Sequence, residues 1–169
     1  MFPLKSINQI ALVVRDLDEA MRRYWNDLGV GPWRVYTYQA PLVKDMTYRG
    51  RRQDYRMRLA LAPLSDVTIE LIQPLSDSIY TEHLQRKGEG LHHVGVTVPS
   101  LQEAVLSAAK LGFRVIQSGR GYGRGGDGGY AYLDTEDYLG MVVELIEATA
   151  ERPVPEQVYP SSTVVDPSR

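Results

Sequence analysis

Hydrophobic positions along the chain follow two periods in succession. Ile10 to Val14 form a strand-type run rich in β-branched residues, and directly after it Leu17, Ala20, Met21, Tyr24 and Leu28 recur at the spacing of one helix face. The same succession returns later, where the apolar run Val94 to Val98 is followed by Leu101, Ala104, Val105, Ala108 and Leu111. Between run and stripe stand Asp16-x-x-Glu19 and Ser100-x-x-Glu103. At that spacing a side-chain oxygen satisfies a free backbone N–H at a helix start. Each stripe closes on Leu-Gly, Leu28-Gly29 and Leu111-Gly112, and glycine is the residue that most readily ends a helix in the left-handed conformation. Both segments predict a strand that leads into a helix burying one face.

These segments are copies of one another. Gln9 to Ala20, QIALVVRDLDEA, aligns on His93 to Ala104, HVGVTVPSLQEA, at an offset of 84, with Val14/Val98, Leu17/Leu101, Glu19/Glu103 and Ala20/Ala104 identical. Further on, Ile69-Glu70-Leu71-Ile72 matches Val143-Glu144-Leu145-Ile146 at an offset of 74. The first copy therefore carries ten extra residues, placed within Tyr36 to Arg58 and expected to form a loop or hairpin. Strands are expected at Trp33–Tyr38, Met46–Arg49, Tyr55–Ala62, Val67–Ile72, Arg114–Gln117, Gly129–Leu133 and Met141–Ile146. Each copy reads β-α-β-β-β, an α+β arrangement. The expected organisation is one domain over 1–147, made of two repeats at about 7–75 and 91–147, and a tail over 148–169 punctuated by Pro153, Pro155, Pro160 and Pro167. Such a tail is expected to lie on the surface or fray.

Composition narrows the chemistry more than the fold. A chain of 169 residues suits one ordinary domain, and its apolar runs fall far short of a membrane span. Nineteen basic against 21 acidic residues leave no electrostatic footprint for nucleic acid. The absence of cysteine removes disulfides, thiolate metal sites and thiol nucleophiles. With no secretory-type apolar stretch at the N-terminus, it points to the cytoplasm. Chemistry is left to three histidines, carboxylates, hydroxyls, amides or a metal held by oxygen and nitrogen.

A polar residue on an otherwise apolar strand needs a reason. Gln9 and His93 open the first strand of each copy, and Glu70 and Glu144 sit inside the last strand of each. Symmetric packing of the copies would bring one nitrogen and three oxygen donors together, a set suited to a divalent ion with open positions for water or substrate. Taken singly, a strand glutamate more often faces solvent, and Gln9 could simply bond backbone at a strand end. Strand alternation puts His92 on the face opposite His93, so that only one can be a ligand, and the repeat selects His93. His83 is expected on a polar helix or loop surface over Tyr80 to Arg86.

These residues resemble the vicinal oxygen chelate superfamily, whose paired βαβββ modules form a curved mixed sheet around a metal cleft and whose members include glyoxalase I, methylmalonyl-CoA epimerase and extradiol dioxygenases. The most specific stretches are Ile69-Glu-Leu-Ile-Gln-Pro74 and Gly88-Glu-Gly-Leu-His-His-Val-Gly95, which resemble the epimerase- and glyoxalase-like branch. The resemblance implies Gln9, Glu70, His93 and Glu144 as ligands of one divalent ion (zinc, nickel, cobalt or manganese). It also implies Glu144 or Glu70 as the carboxylate that moves a proton next to a carbonyl, with Glu144 favoured. Epimerases of this type open with His where this chain has Gln9, whereas animal-type glyoxalase I has Gln there. With one imidazole in the set, Fe(II) oxygenation, which rests on two, is disfavoured. The implied activity is that of an isomerase or lyase on a small acyl thioester or hemithioacetal, through an enediolate stabilised by the metal. The alternative is a protein of this fold that binds or sequesters a small molecule.

Two further segments bear on substrate. Gly119 to Gly129 contains a G-x-G-x-x-G spacing, but a strand-type run follows where a dinucleotide loop needs a helix, so a flexible hairpin is expected, or a flap bringing Arg120 and Arg124 over an anion. The insertion holds Lys44, Arg49, Arg51, Arg52, Arg56 and Arg58 with Tyr48 and Tyr55 interleaved. It is either a solvated hairpin or an edge of the cleft where Arg49, Arg52, Tyr48 and Tyr55 contact an anionic substrate. A homodimer is compatible with the sequence, and no G-x-S-x-G supports serine catalysis.

Overall fold

The computed structural model describes residues 6–161. Its elements in chain order are β1 (Gln9–Val13), α1 (Leu17–Leu28), β2 (Trp33–Tyr38), β3 (Lys44–Tyr48), β4 (Arg51–Arg52), β5 (Met57–Leu64), β6 (Val67–Pro74), α2 (Ile79–Lys87), β7 (Gly90–Thr97), α3 (Leu101–Ala109), β8 (Val115–Tyr122), β9 (Gly128–Leu133), α4 (Glu136–Leu139), β10 (Val142–Glu147) and β11 (Gln157–Tyr159). All strands join one mixed sheet in the order β11-β2-β5-β6-β1-β7-β10-β9-β8-β3-β4. The first copy supplies β2-β5-β6-β1 and the second β7-β10-β9-β8, so the two halves mirror each other about the antiparallel β1–β7 seam.

The expected caps form. Asp16 accepts from the Glu19 N–H at 2.9 Å and Ser100 from the Glu103 N–H at 3.3 Å, which fixes where α1 and α3 begin. Gly29 ends α1 in the left-handed region at φ 68°, whereas α3 stops at Ala109 with Lys110 as its cap, ahead of the expected Gly112. Each helix then covers the outer face of its own half. Leu17, Ala20 and Met21 pack with Trp33, Val35, Ala60, Ala62 and Leu71, while Leu101, Ala104 and Ala108 pack with Val94, Val96, Ala131, Leu133, Val143 and Leu145. Strand alternation sends the intervening residues inward. A third cluster fills the concave side, built from Ala11, Val13, Met57, Leu59, Leu61, Ile72 and the tyrosines at 36, 38, 55, 80, 122, 130 and 132.

The ten-residue insertion is a hairpin, and it crosses to the other half. β3 pairs with β8, the outer strand of the second copy, and turns into β4 through Arg49 and Gly50, both with positive φ (50° and 76°), the geometry of a two-residue hairpin turn. The C-terminal segment makes the reciprocal move: leaving β10, it pairs as β11 with β2, the outer strand of the first copy. The proline-rich tail lies along the surface as expected, but over Gln157–Tyr159 it is an ordered edge strand and not frayed; Pro167 and the rest of 162–169 lie outside the described residues. Among the described residues no helix is long and apolar enough to cross a membrane.

Candidate metal centre

The seam registers place the candidate residues. Across β1 and β7, Gln9 lies opposite Gly95 and Ala11 opposite His93. On the flanks, Glu70 of β6 sits beside Ala11 and Glu144 of β10 beside Gly95. Ala11 and Gly95 are equivalent under the repeat, so four polar residues surround two small ones, two polar residues from each half. A Cβ on Gly95 would come within 3.3 Å of Glu144 Oε2 and closer still to Gln9, so the absence of a side chain there makes the space the polar groups share.

All four are buried, and His93 has no exposed surface. Gln9 Nε2 donates to Glu70 Oε2 at 2.7 Å and to Glu144 Oε2 at 3.2 Å. His93 Nε2 stands 3.1 Å from Glu144 Oε2 and 3.5 Å from Glu70 Oε2, yet makes no well-aligned hydrogen bond. Burial alone would push the His93 imidazolium down; the carboxylates of Glu144 and Glu70 outweigh it and push the pKa up to about 9. Burial raises Glu70 above the usual carboxylate range. The raised values of His93 and Glu70 have one cause between them: buried carboxylate charge that favours a bound cation.

A divalent cation fits this set. The ligand atoms of Glu70, His93 and Glu144 lie within 4.8 Å of one another, and the Gln9 amide, turned end for end, would offer Oε1 to the same point. The His93 Nε2 atom, buried between two carboxylates without a well-aligned hydrogen bond, is the nitrogen such an ion would take in place of a proton. One nitrogen and three oxygens suit a borderline or hard divalent ion.

His92 departs from the alternation expected of it. β7 carries an extra residue opposite Ala11 and Leu12, where the partner register jumps from His93 to Leu91, and this bulge turns both imidazoles to the buried side. His92 Nδ1 lies 2.8 Å from His93 Nδ1. Burial, together with the nearby His93, depresses the His92 pKa well below 6.5, so it remains neutral. A hydrogen bond from His93 Nδ1–H to His92 turns Nε2 to the carboxylates, where its lone pair would be free for an ion once the proton held there is displaced. His83 is also not on a polar surface. Ile79, Tyr80 and His83 form the inward face of α2, and the His83 ring meets His92 edge-on at 5.0 Å. The connector between the copies therefore packs under the seam.

The donor set opens into a cavity of about 40 Å³ walled by Tyr38, Tyr122, Tyr130, Tyr132, Met57, Leu59 and Leu61. Burial raises the pKa of all four phenols, so they stay protonated. Beyond Gln9 and Tyr122 lies a polar cavity of about 230 Å³ lined by Asn8, Asp66, Thr68, Thr97, Thr149 and Arg152.

The four residues expected to contact substrate are not among those lining either cavity. Tyr55 is buried, its hydroxyl shared between Tyr130 and the Ser118 carbonyl. Tyr48 and Arg49 both bond Glu82 on α2, and Arg52 pairs with Asp45 on the surface. The hairpin pairs with β8, and its side chains bond Glu82 and Asp45 instead of lining these two cavities. Arg120 and Arg124 lie near Glu147 and Glu151, so the glycine-rich turn braces the C-terminal segment. The wall tyrosines were missed, although Tyr36/Tyr38 and Tyr130/Tyr132 show period-two spacing that marks one inward face. Arg152, in a segment without periodicity, gave no signal.

Fold and site together define a paired-module protein that closes a buried Gln-Glu-His-Glu donor set at the seam of its two halves. Residues 8–132 match the Glyoxalase/Bleomycin resistance protein/Dioxygenase superfamily, and the chain belongs to it. Mouse mitochondrial methylmalonyl-CoA epimerase is 29% identical over 147 residues, 86% of this chain and 74% of the relative. The uncharacterised protein YqjC of Bacillus subtilis is 23% identical over 150 residues, 88% of this chain and 96% of that one. Among solved structures, methylmalonyl-CoA epimerase from Mycobacterium tuberculosis superposes with a TM-score of 0.62 at 23% identity, over 85% of this chain and 88% of that one. A methylmalonyl-CoA epimerase bound to methylmalonyl-CoA superposes equally, at 0.62 and 23%, over 89% and 100%.

Proposed function

We propose that this protein is an epimerase-type isomerase of its superfamily that moves a proton on the carbon next to the carbonyl of a small acyl thioester. The reading treats 7–75 and 91–147 as two halves of one domain around a single site. The observation that carries it is the buried pair Glu70 and Glu144, related by the repeat and meeting at Gln9 and His93. The likeness to epimerases supports the same reading. A divalent ion held by Gln9, Glu70, His93 and Glu144 would supply Lewis acidity toward a substrate carbonyl oxygen.

The chain's own residues do the rest. Two carboxylates on opposite sides of the seam can take a proton from one face of a carbon and return one to the other. Glu144 is the better candidate for removal, because Gln9 holds it at 3.2 Å against 2.7 Å for Glu70 and so restrains it less. The phenol-lined wall keeps bulk water from the reacting carbon, which preserves the strength of every charge interaction inside. A cytoplasmic site of action belongs to the same reading, on the strength of a chain without cysteine.

The test is calorimetric titration of chelator-treated protein with zinc, nickel, cobalt and manganese, followed by incubation with methylmalonyl-CoA and a panel of acyl thioesters and hemithioacetals in deuterium oxide. One ion should bind per chain, His93→Ala should abolish uptake, and deuterium should enter the carbon next to the carbonyl. Glu144→Gln should retain metal through its amide oxygen and lose exchange. No binding to the wild type would replace this reading with sequestration, and oxygen consumption with a catechol would replace it with dioxygenation.

A further inference from the structure

The four phenols that wall the donor cavity are not equivalent. Tyr122 donates to the Glu147 carbonyl at 3.1 Å, Tyr130 shares a hydrogen bond of 2.8 Å with Tyr55, and Tyr132 accepts one of 2.8 Å from Tyr80. The Tyr38 hydroxyl bonds no group among the described residues, although the residue is only 7% exposed. A buried hydroxyl ordinarily has a partner. Nor is this oxygen sealed in protein, as the unpartnered polar atoms of Trp33, His93 and Gln117 are. It keeps a small accessible surface, and the cavity that Tyr38 lines is the one that holds Gln9, Glu70 and Glu144.

The ring that carries the hydroxyl is fixed in place. Tyr38 lies on β2, far from β8 and β9 in the order of the sheet, and the curvature of the sheet brings it across the cup against both. Its ring centroid is 5.4 Å from that of Tyr122 and 6.4 Å from that of Tyr130, and Tyr36 meets it edge-on at 6.5 Å. Packed against three other rings, the hydroxyl cannot swing to a partner elsewhere. Burial, Tyr122 and Glu70 all oppose loss of the phenol proton, so the group is a hydrogen-bond donor and not a base. A fixed donor with nothing to bond, at the wall of a cavity that holds two carboxylates, is prepared for an acceptor that arrives with the substrate.

We propose that Tyr38 is a further catalytic residue, whose hydroxyl donates a hydrogen bond to the substrate oxygen that gains negative charge when the neighbouring carbon loses its proton. The proton stays on Tyr38 throughout. What changes is the strength of the bond, which grows as charge builds on the acceptor, and grows more in a small cavity that excludes bulk water. The acceptor is an enolate or enediolate oxygen, which has no hydrogen of its own to offer. The part Tyr38 plays in turnover rests on the proton-transfer reading; its donation to an oxyanion in this cavity does not.

The experiment compares the metal-loaded wild type with Tyr38→Phe and Tyr36→Phe. Tyr38→Phe keeps the ring and removes a hydroxyl that no protein group bonds, so melting temperature and ion affinity should match the wild type. Tyr36→Phe is the control, since Tyr36 lines a separate cavity of about 80 Å³ beside Arg34. With methylmalonyl-CoA in deuterium oxide, Tyr38→Phe should lower kcat for exchange about a hundredfold to a thousandfold and leave KM within about twofold. The second probe is acetohydroxamate, a small planar anion with two neighbouring oxygens like those of an enediolate, titrated by calorimetry. Its affinity should weaken about tenfold or more in Tyr38→Phe. Tyr36→Phe should match the wild type in both measurements. A change under tenfold in either measurement, a loss confined to KM, or an equal loss in Tyr36→Phe overturns the Tyr38 proposal, and the functional reading survives if Glu144→Gln loses exchange. If the wild type exchanges no thioester, the functional reading fails and acetohydroxamate alone decides: tenfold weakening in Tyr38→Phe upholds donation to an oxyanion, and a smaller change or absent binding overturns it.

Discussion

At position 95 an ideal Cβ would lie 2.9 Å from Gln9 Cβ and 2.8 Å from Ile146 Cδ1. The Ile146 tip can rotate away, but Gln9 Cβ is fixed to the facing strand, so a methyl group there must spread the seam. Gly95→Ala is expected to cost about 1–3 kcal/mol in denaturant unfolding and to weaken divalent-ion binding in calorimetry by about tenfold or more. Unchanged affinity would mean that the donor set tolerates displacement. His92 makes a second residue-scale case. If it fixes the His93 ring through the Nδ1–Nδ1 contact, His92→Phe should fill the same buried space yet weaken metal binding about tenfold to a hundredfold. Equal affinity would reduce His92 to packing. Gln9, Glu70, His93 and Glu144 were legible in the sequence because each occurs at the repeat-equivalent place of a strand-type run. The His92 contact was not, because alternation assumes a regular pleat and one bulged residue reverses the face of everything beyond it.

Elements show the same division between local and distant information. The caps at Asp16 and Ser100 and the Gly29 stop were readable because each is complete within a few residues. The insertion was readable as a hairpin, but its partner was not, since β8 lies about seventy residues away and a cross-module pairing has no local signature. That pairing sets Tyr48 and Arg49 against Glu82 of α2. The Arg49 guanidinium, with help from the Tyr48 hydroxyl, holds Glu82 below its ordinary 4.5; burial and the same carboxylate push Tyr48 up to about 12. A carboxylate with a lowered folded-state pKa adds stability above its unfolded pKa and loses it as pH falls through the folded value. With Arg49 49% and Glu82 28% exposed, solvent screens the pair, so Glu82→Gln should cost under about 1 kcal/mol near neutral pH. The gap between variant and wild type in urea unfolding should close below about pH 4. A gap that persists at low pH would assign the effect to packing.

For the whole molecule, the reciprocal edge strands matter more than either half alone. β3 from the first half covers β8 of the second, and β11, reached from the second, covers β2 of the first. Each half thus hides an edge the other would expose, and the segment that carries Arg152 is a by-product of that exchange. Neither half holds the complete donor set either, since Gln9 and Glu70 come from one and His93 and Glu144 from the other. Folding of the halves and ion binding should therefore be linked. An ion at a hundred times its dissociation constant adds about 2.7 kcal/mol to the native state. At roughly 2–4 °C per kcal/mol for a chain of this size, melting should rise by about 5–10 °C. Scanning calorimetry should show one cooperative transition for the chelator-treated protein, shifted as a whole by the ion, with no shift in His93→Ala. Two transitions, only one of them moving with metal, would show that the halves unfold separately and that the crossed edges do not couple them.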